Sequence, residues 1–133
     1  MKLLLDTHAF LWALLEPARL SERVRQALED RDNQVFVSSV TFWEIALKAS
    51  LGKLTLHGCT AESLPDAAKM QGFNVLVLDA ATAASSAAVP RRVDHRDPFD
   101  RMLMWQAIRN ELAFVSRDRT ILARDSGNLK VFW

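Results

Sequence analysis

Short apolar segments alternate along this chain with longer segments in which apolar and polar residues are mixed. The short segments have the length and the β-branched or aromatic content of strands that are buried on both faces of a sheet. They predict strands at residues 3–5, 35–38, 75–78, 113–116 and 129–132. The mixed segments predict helices at residues 7–15, 22–30, 42–51, 62–71, 79–88 and 119–123, and a long helix that begins at residue 98.

The alternation of strands and helices predicts an α/β fold. Crossovers between successive strands are right-handed, so such a chain forms a mostly parallel sheet with helices on both faces, in three layers (α/β/α). The length of 133 residues suits one domain, and we expect residues 1–133 to form it.

Composition narrows the class of protein. A formal net charge of +1 argues against a strongly basic nucleic-acid-binding fold. The single cysteine, Cys59, cannot form an internal disulfide, and no Cys/His spacing is typical of zinc sites. No segment is apolar for long enough to form a signal peptide or a membrane span. We therefore expect a cytoplasmic protein that does not associate with membranes.

Four acids follow predicted strands or begin the helices after them. In an open parallel sheet, ligands bind beyond the carboxyl ends of the strands, so acids at these positions are candidates for chemistry. Each acid could instead cap a helix or complete a capping box, as in Thr41-x-x-Glu44. Four acids on one edge would repel one another unless a cation joined them, and oxygen ligands alone suit magnesium or manganese. The four are Asp6, Glu44, Asp100 and Asp118.

The segment from His95 to Arg101 makes the sharpest local prediction. Asp97 followed by Pro98 predicts a helix N-cap and a first-turn proline. Asp100 lies on the same helix face as Leu103 and its apolar neighbours, which places an acid on the side facing the core. Its alternative role is to complete a capping-box-like start and to interact with the positive end of the helix.

Four sequence blocks resemble the PIN-domain ribonucleases of the VapC toxin type. They occur in the order found in that family and span nearly the whole chain. The blocks are Leu4-Leu5-Asp6-Thr7-His8, Trp43-Glu44-Ile45-Ala46-Leu47-Lys48 with Leu51-Gly52-Lys53-Leu54, His95-Arg96-Asp97-Pro98-Phe99-Asp100-Arg101-Met102-Leu103, and Val115-Ser116-Arg117-Asp118.

The resemblance implies an endoribonuclease that uses one or two Mg²⁺ or Mn²⁺ ions and acts as the toxin of a toxin-antitoxin pair. Its metal-holding, catalytic acids match Asp6, Glu44, Asp100 and Asp118, while Asp97 remains the helix cap. Asparagine often stands at the position of Asp118 in relatives. Hydroxyl side chains beside the acids match Ser116 and, more weakly, Thr7. The resemblance also implies a homodimer and a cognate antitoxin.

The implied chemistry is the in-line hydrolysis of an RNA phosphodiester. Divalent ions lower the pKa of water, neutralise the phosphate and stabilise the leaving oxygen. His8 and His95 are possible proton carriers, although histidines near helix starts are more often structural. Candidate contacts for RNA phosphates are the arginines in and beside the basic segment 90–96, whose other interpretation is a solvated surface. These arginines are Arg91, Arg92, Arg96 and Arg101.

Other classes of protein place acids and magnesium at a parallel sheet edge. A receiver module needs paired acids after its first strand and a lysine after its last core strand, whereas Thr7-His8 and Arg117-Asp118 stand at those points. A phosphatase with an Asp-x-Asp motif would need an acid in place of His8. A catalytically silent, PIN-like or receiver-like Mg-binding interaction module is the alternative that an activity assay must exclude.

Overall fold

The computed structural model describes residues 1–89, 97–122 and 129–133. A five-stranded sheet runs through it in the order β3-β2-β1-β4-β5, and every neighbouring pair of strands is parallel. The strands are β1 (Lys2–Leu5), β2 (Gln34–Ser38), β3 (Asn74–Leu76), β4 (Ala113–Val115) and β5 (Lys130–Phe132). The helices are α1 (Thr7–Leu15), α2 (Glu22–Glu29), α3 (Ser39–Ser50), α4 (Leu64–Met70), α5 (Ala80–Ala84), α6 (Pro98–Arg109) and α7 (Arg119–Leu122).

Helices cover both faces of the sheet, as the strand pattern predicted. Successive side chains of a strand point to opposite faces, and β1 is apolar on both. Leu3 and Leu5 join one buried cluster with Phe10 of α1, whereas Leu4 joins a second cluster with Leu103 of α6. The predicted α/β/α architecture with a parallel sheet is therefore confirmed.

Several predicted helix starts are also confirmed. The side chain of Ser21 caps α2, and Asp79 caps α5. Asp97 Oδ1 accepts the backbone N–H groups of Phe99 at 2.8 Å and Asp100 at 3.4 Å, so it is the N-cap of α6. A side-chain oxygen at this position satisfies N–H groups that have no partner within the helix.

The predicted start of α3 is wrong. The helix begins at Ser39, directly after β2, and the hydroxyl of Ser38 accepts the backbone N–H of Val40 at 3.0 Å. Thr41 and Glu44 consequently lie inside the helix as buried residues and do not form a capping box. The sequence concealed this start because Ser38 serves both as the last residue of a strand and as a helix cap.

Other boundaries differ by a few residues. The predicted strand 75–78 ends at residue 76, since Val77 is exposed and the N–H of Leu78 is donated to Ser39 Oγ. The predicted helix 62–71 begins as a 3₁₀ turn (Ala61–Ser63), and Pro65 occupies the first turn of α4. The predicted helix 79–88 becomes α5 followed by a 3₁₀ turn (Ser86–Ala88). The basic segment 90–96 and residue 123 lie outside the described residues.

The strand order reverses between β1 and β4. From β1 the chain builds outward through β2 and β3 on one side, and it later returns to add β4 and β5 on the other. The loops beyond the carboxyl ends of β1 and β4 therefore diverge and leave a crevice between them. Within the described ranges, no helix combines the length and apolar content needed to cross a membrane.

The corrected start of α3 makes a stability prediction. Besides capping Val40, the Ser38 hydroxyl is hydrogen-bonded to the amide oxygen of buried Gln106. Ser38→Ala removes both interactions and should lower the free energy of unfolding by roughly 1–3 kcal/mol in urea titrations. Thr41→Val removes only a hydroxyl whose contact with Thr7 Oγ1 is 3.4 Å long, and it should cost less. A larger loss of unfolding free energy in Thr41→Val than in Ser38→Ala would instead support a capping box at Thr41 and Glu44.

Candidate active site

A pocket of about 420 Å³ opens in the crevice between β1 and β4. Three of the four predicted acids line it, together with an imidazole, an indole and a guanidinium. The lining residues are Asp6, His8, Trp12, Asp100, Arg117 and Asp118. The fold thus brings together acids that are more than 90 positions apart in the sequence.

Asp6 both caps a helix and faces this pocket. Its backbone N–H donates to the carbonyl of Val115 at 3.0 Å, which extends the pairing of β1 with β4 by one residue. Its Oδ1 accepts the backbone N–H of Ala9 at 2.7 Å. A carboxylate has two oxygens with several lone pairs, so the capping role and a role in the pocket are compatible.

The Asp6 carboxyl is electrostatically strained. Its pKa is raised to about 6, mainly by burial and to a lesser extent by the charge of Asp100. Hydrogen bonds from the Ala9 N–H and the Ser116 hydroxyl oppose this rise in pKa. The side chain is only 7% exposed. Burial and a neighbouring carboxylate both disfavour the ionised form, and such perturbed acids are frequent at functional sites.

Ser116 links two of the acids from the end of β4. Its buried hydroxyl is hydrogen-bonded to Asp6 and accepts the backbone N–H of Asp118 at 3.1 Å. Asp118 Oδ1 in turn accepts the N–H and the hydroxyl of Thr120 at 2.9 and 2.7 Å. Asp118 is therefore held at the start of α7 while it also lines the pocket.

Asp100 reaches the pocket from α6. It is half-buried in the first turn of that helix, which is fixed at its start by Asp97. Asp97 itself is absent from the residues that line the pocket. The structure thus separates the two neighbouring acids, one as a helix cap and the other at the pocket.

The fourth predicted acid, Glu44, lies behind the others. It is 2% exposed, and its Oε1 accepts the hydroxyl of Thr7 at 2.6 Å. Its Oε2 forms an ion pair with Lys48, one helical turn further along α3. Lys48 Nζ also lies 3.9 Å from Asp97 Oδ2. Glu44 is not among the residues that line the pocket.

Lys48 is the cation paired with the buried acid Glu44. Its partial burial disfavours the charged ammonium, but the hydrogen bond with Glu44 and the charges of Glu44, Asp97 and Asp100 together raise its pKa. Its Nζ also lies 5.7 Å from the centre of the Phe99 ring. The ammonium therefore remains protonated and neutralises part of the charge that the acids accumulate.

The donor chemistry of the pocket fits a hard divalent cation. Asp6, Asp100 and Asp118 offer only oxygen ligands, which Mg²⁺ and Mn²⁺ prefer, and the repulsion between Asp6 and Asp100 would be relieved by a cation. In the described parts of the chain, no three Asp, Glu, His or Cys side chains are gathered tightly enough to form a metal-binding group.

The remaining sequence candidates fall in three places. His8 lines the acid pocket. Arg101 lines a different pocket, with Ser86, Pro98 and Met102. The candidates Arg91, Arg92, Arg96 and His95 lie outside the described residues.

Sequence reasoning did not predict that three further residues belong to this region. Lys48 stands four positions after Glu44, a spacing that places both side chains on one face of a helix. Trp12 stands four positions after His8 on α1 by the same rule, and Arg117 directly precedes Asp118. The spacing was visible in the sequence, but only the fold shows which faces turn toward the pocket.

Comparisons with known proteins indicate the family and the fold of the chain. Residues 3–126 match the family profile of the PIN domain. The chain is 29% identical over 118 residues to Ribonuclease VapC22 of Mycobacterium tuberculosis, covering 89% of this chain and 88% of the relative. The fold is similar to that of VapBC2 from Rickettsia felis bound to a promoter DNA fragment, with a TM-score of 0.72, 14% identity and coverage of 99% and 98%. It is also similar to FitAcB from Neisseria gonorrhoeae, with a TM-score of 0.60, 25% identity and coverage of 98% and 96%.

The pairing of Lys48 with Glu44 predicts a coupled effect on stability. Lys48→Met leaves the buried Glu44 carboxylate without its cation and should lower the free energy of unfolding by about 1–3 kcal/mol, a range reduced because Lys48 is partly exposed. Adding Glu44→Gln to this variant removes the unpaired charge and should restore part of the loss. Urea titrations of the two single variants and the double variant measure the coupling. Strictly additive effects would show that the pair does not act as a unit.

The raised pKa of Asp6 predicts a pH-dependent effect of its removal. Between about pH 4 and 6 the folded state binds more protons at Asp6 than the unfolded state, so this group lowers stability as the pH rises. Asp6→Asn keeps an acceptor for Ala9 and removes this penalty. Its free energy of unfolding, relative to the parent in chelator, should rise by about 3 kcal/mol from pH 4 to pH 7.

Asp79→Asn is the matched control for that experiment. Asp79 is also a helix cap, but the backbone and side-chain hydrogen bonds from Thr82 lower its pKa. Its charge therefore stabilises the fold above its unfolded pKa and loses this effect as the pH falls. Relative to the parent, Asp79→Asn should lose stability as the pH rises through the range below about pH 4 and should change little from pH 4 to 7, where Asp6→Asn gains stability. The same pH trend in both variants would contradict the account of Asp6.

Proposed function

The chain belongs to the PIN-domain family, and we propose that it is an endoribonuclease of the VapC type, the toxin of a toxin-antitoxin pair. We further propose that it hydrolyses RNA phosphodiester bonds with Mg²⁺ or Mn²⁺ held by its acids. The observation that carries the proposal is the joining of Asp6, Asp100 and Asp118 in one pocket at the point where the strand order reverses. The likeness to Ribonuclease VapC22 supports the substrate class.

The proposed roles of the acids follow from their positions. Asp6, Asp100 and Asp118 would hold one or two ions from the pocket walls, and Ser116 would orient Asp6 by the hydrogen bond between them. The metal would supply a nucleophilic water at neutral pH and would neutralise charge on the phosphate. The strained ionised form of Asp6 supports this role, because a carboxylate that repels its neighbour gains most from a cation.

Glu44 would contribute from the buried side of the same region. Its carboxylate is oriented by Thr7 and neutralised by Lys48. Its proposed participation in metal binding therefore requires the ion pair with Lys48 to loosen. Thr7, which the resemblance matched only weakly to a hydroxyl beside the acids, would thus act on Glu44.

A cognate antitoxin and a second copy of the chain are the proposed protein partners, and the cytoplasm is the proposed location. The likeness to VapBC2 and FitAcB supports the antitoxin. Trp43 and Leu47 of α3 and Leu51 directly after it are also exposed and spaced four residues apart, with Trp43 62% exposed. Contiguous exposed apolar surface commonly marks contact with another protein.

Two variants of neighbouring acids test the nuclease proposal. Asp100→Asn should abolish RNA cleavage because it removes a proposed metal ligand. Asp97→Asn keeps a good N-cap and should retain most of the activity. Cleavage of RNA by the purified chain, measured with millimolar Mg²⁺ or Mn²⁺ and with excess EDTA, provides the readout, and a thermal melt of each variant confirms that it folds.

Each contrary result has a distinct meaning. Equal loss in both variants would remove the separation of roles between Asp97 and Asp100. Full activity in excess EDTA would exclude the metal-dependent mechanism. A folded parent that cleaves no RNA but whose melting temperature rises with Mg²⁺ would favour the silent Mg-binding interaction module.

A further inference from the structure

We propose that Trp12 is a stacking platform for an unpaired RNA base next to the bond that is cut, with Arg117 beside it to bind the adjoining phosphate. This inference rests on the proposed nuclease function and adds a specific subsite to it. The subsite selects single-stranded RNA, because a base must leave its helix before it can stack on a protein ring.

The position of Trp12 is the first support. The indole is half-buried on α1 and lines the same pocket as the three acids. A base stacked on it would therefore lie within the pocket where the phosphodiester is cut. The ring is fixed by its neighbours, since the His8 ring lies 5.7 Å away on the pocket side and the Trp133 ring packs against it edge-on at 6.0 Å. A platform that is already rigid loses little entropy when a base binds.

The charge around the ring is the second support. The guanidinium carbons of Arg117 and Arg19 lie 5.7 and 5.3 Å from the centre of the Trp12 ring. The pocket also holds Asp6, Asp100 and Asp118, whose charges repel a nucleic acid backbone. These cations lie over the ring, so a base stacks on the indole by displacing one guanidinium, which then offers the RNA phosphates an attractive contact beside the acids. An aromatic ring with adjacent arginines is a common arrangement for binding single strands.

A second tryptophan-arginine pair, Trp105 with Arg109, differs from the pair of Trp12 with Arg117 in its surroundings. Trp105 lies 5.8 Å from the Arg109 guanidinium carbon, but its indole N–H is shared between the Thr82 carbonyl and the Ser85 hydroxyl, both at 3.2 Å. These contacts join α6 to α5, and Trp105 is not among the residues that line the acid pocket. Trp105 therefore provides a control of the same residue type and similar cationic surroundings.

The experiment compares protein and RNA changes in one cycle. Short oligoribonucleotides that the parent cleaves are prepared with a single abasic nucleotide at each position around the cut. For the parent, kcat/KM should fall roughly 5- to 100-fold at one such position, the range expected for loss of one stacked base. Trp12→Ala should show a similar fall on intact RNA and no further fall at that position. Trp12→Phe should keep most of the abasic response, because phenylalanine also stacks.

A binding measurement separates stacking from chemistry. In an Asp100→Asn background, which is expected to bind RNA without cutting it, Trp12→Ala should weaken binding of intact oligoribonucleotide by a similar factor, as measured by fluorescence anisotropy. Trp105→Ala should keep the response of the parent to each abasic position. Arg117→Ala should weaken binding of intact and abasic RNA alike and reduce its dependence on salt.

The possible outcomes distinguish the proposed Trp12 subsite from the proposed nuclease function on which it rests. An unchanged abasic response in folded Trp12→Ala would refute the subsite while leaving the nuclease intact. If Trp12→Ala cleaves like the parent but escapes inhibition by a protein partner, the ring is a protein-binding surface and the subsite is also refuted. A parent that cleaves no RNA would refute the proposed function, and the subsite with it.

Discussion

The reversal of strand order between β1 and β4 is the constraint on which the candidate site depends. The pairing of these two strands continues through the hydrogen bond from the Asp6 N–H to the Val115 carbonyl, so Asp6 and Ser116 are fixed side by side. α1 and α7 then leave in different directions and leave the crevice open. The pocket is therefore a consequence of the sheet topology, and the acids occupy positions that the topology has already brought together.

Gathering acids at one edge is electrostatically unfavourable, and the structure limits the penalty in two ways. Glu44 is fully buried but is compensated by Lys48 and by the Thr7 hydroxyl. Asp6 is nearly as buried and receives two hydrogen bonds, yet its pKa remains raised. The electrostatic strain that remains at Asp6 thus lies at the open pocket. A cation bound at that point would stabilise the fold most, because it would bind only the folded state. The stability of the fold is in this way connected to the proposed activity.

Local sequence signals determined much of the fold. Apolar runs of strand length gave the positions of all five strands of the sheet, because a strand covered on both faces has no polar side to interrupt its pattern. Side-chain caps were equally readable at Ser21 and Asp97, since a cap depends on atoms only a few residues apart. The start of α3 was misjudged because Ser38 and Thr41 are both good caps, and only the direct turn from β2 into the helix selects Ser38.

For the site, the sequence determined which acids stand at strand ends, and its resemblance to a known family indicated the chemistry. It could not separate Asp100, which lines the pocket, from Glu44, which lies behind it against Lys48. That distinction depends on the direction in which α3 and α6 cross the sheet, and no local pattern encodes it. The placement of Trp12 at the pocket has the same origin. Its helix face lines the pocket only because the pairing of β1 with β4 brings residues distant in the sequence next to α1.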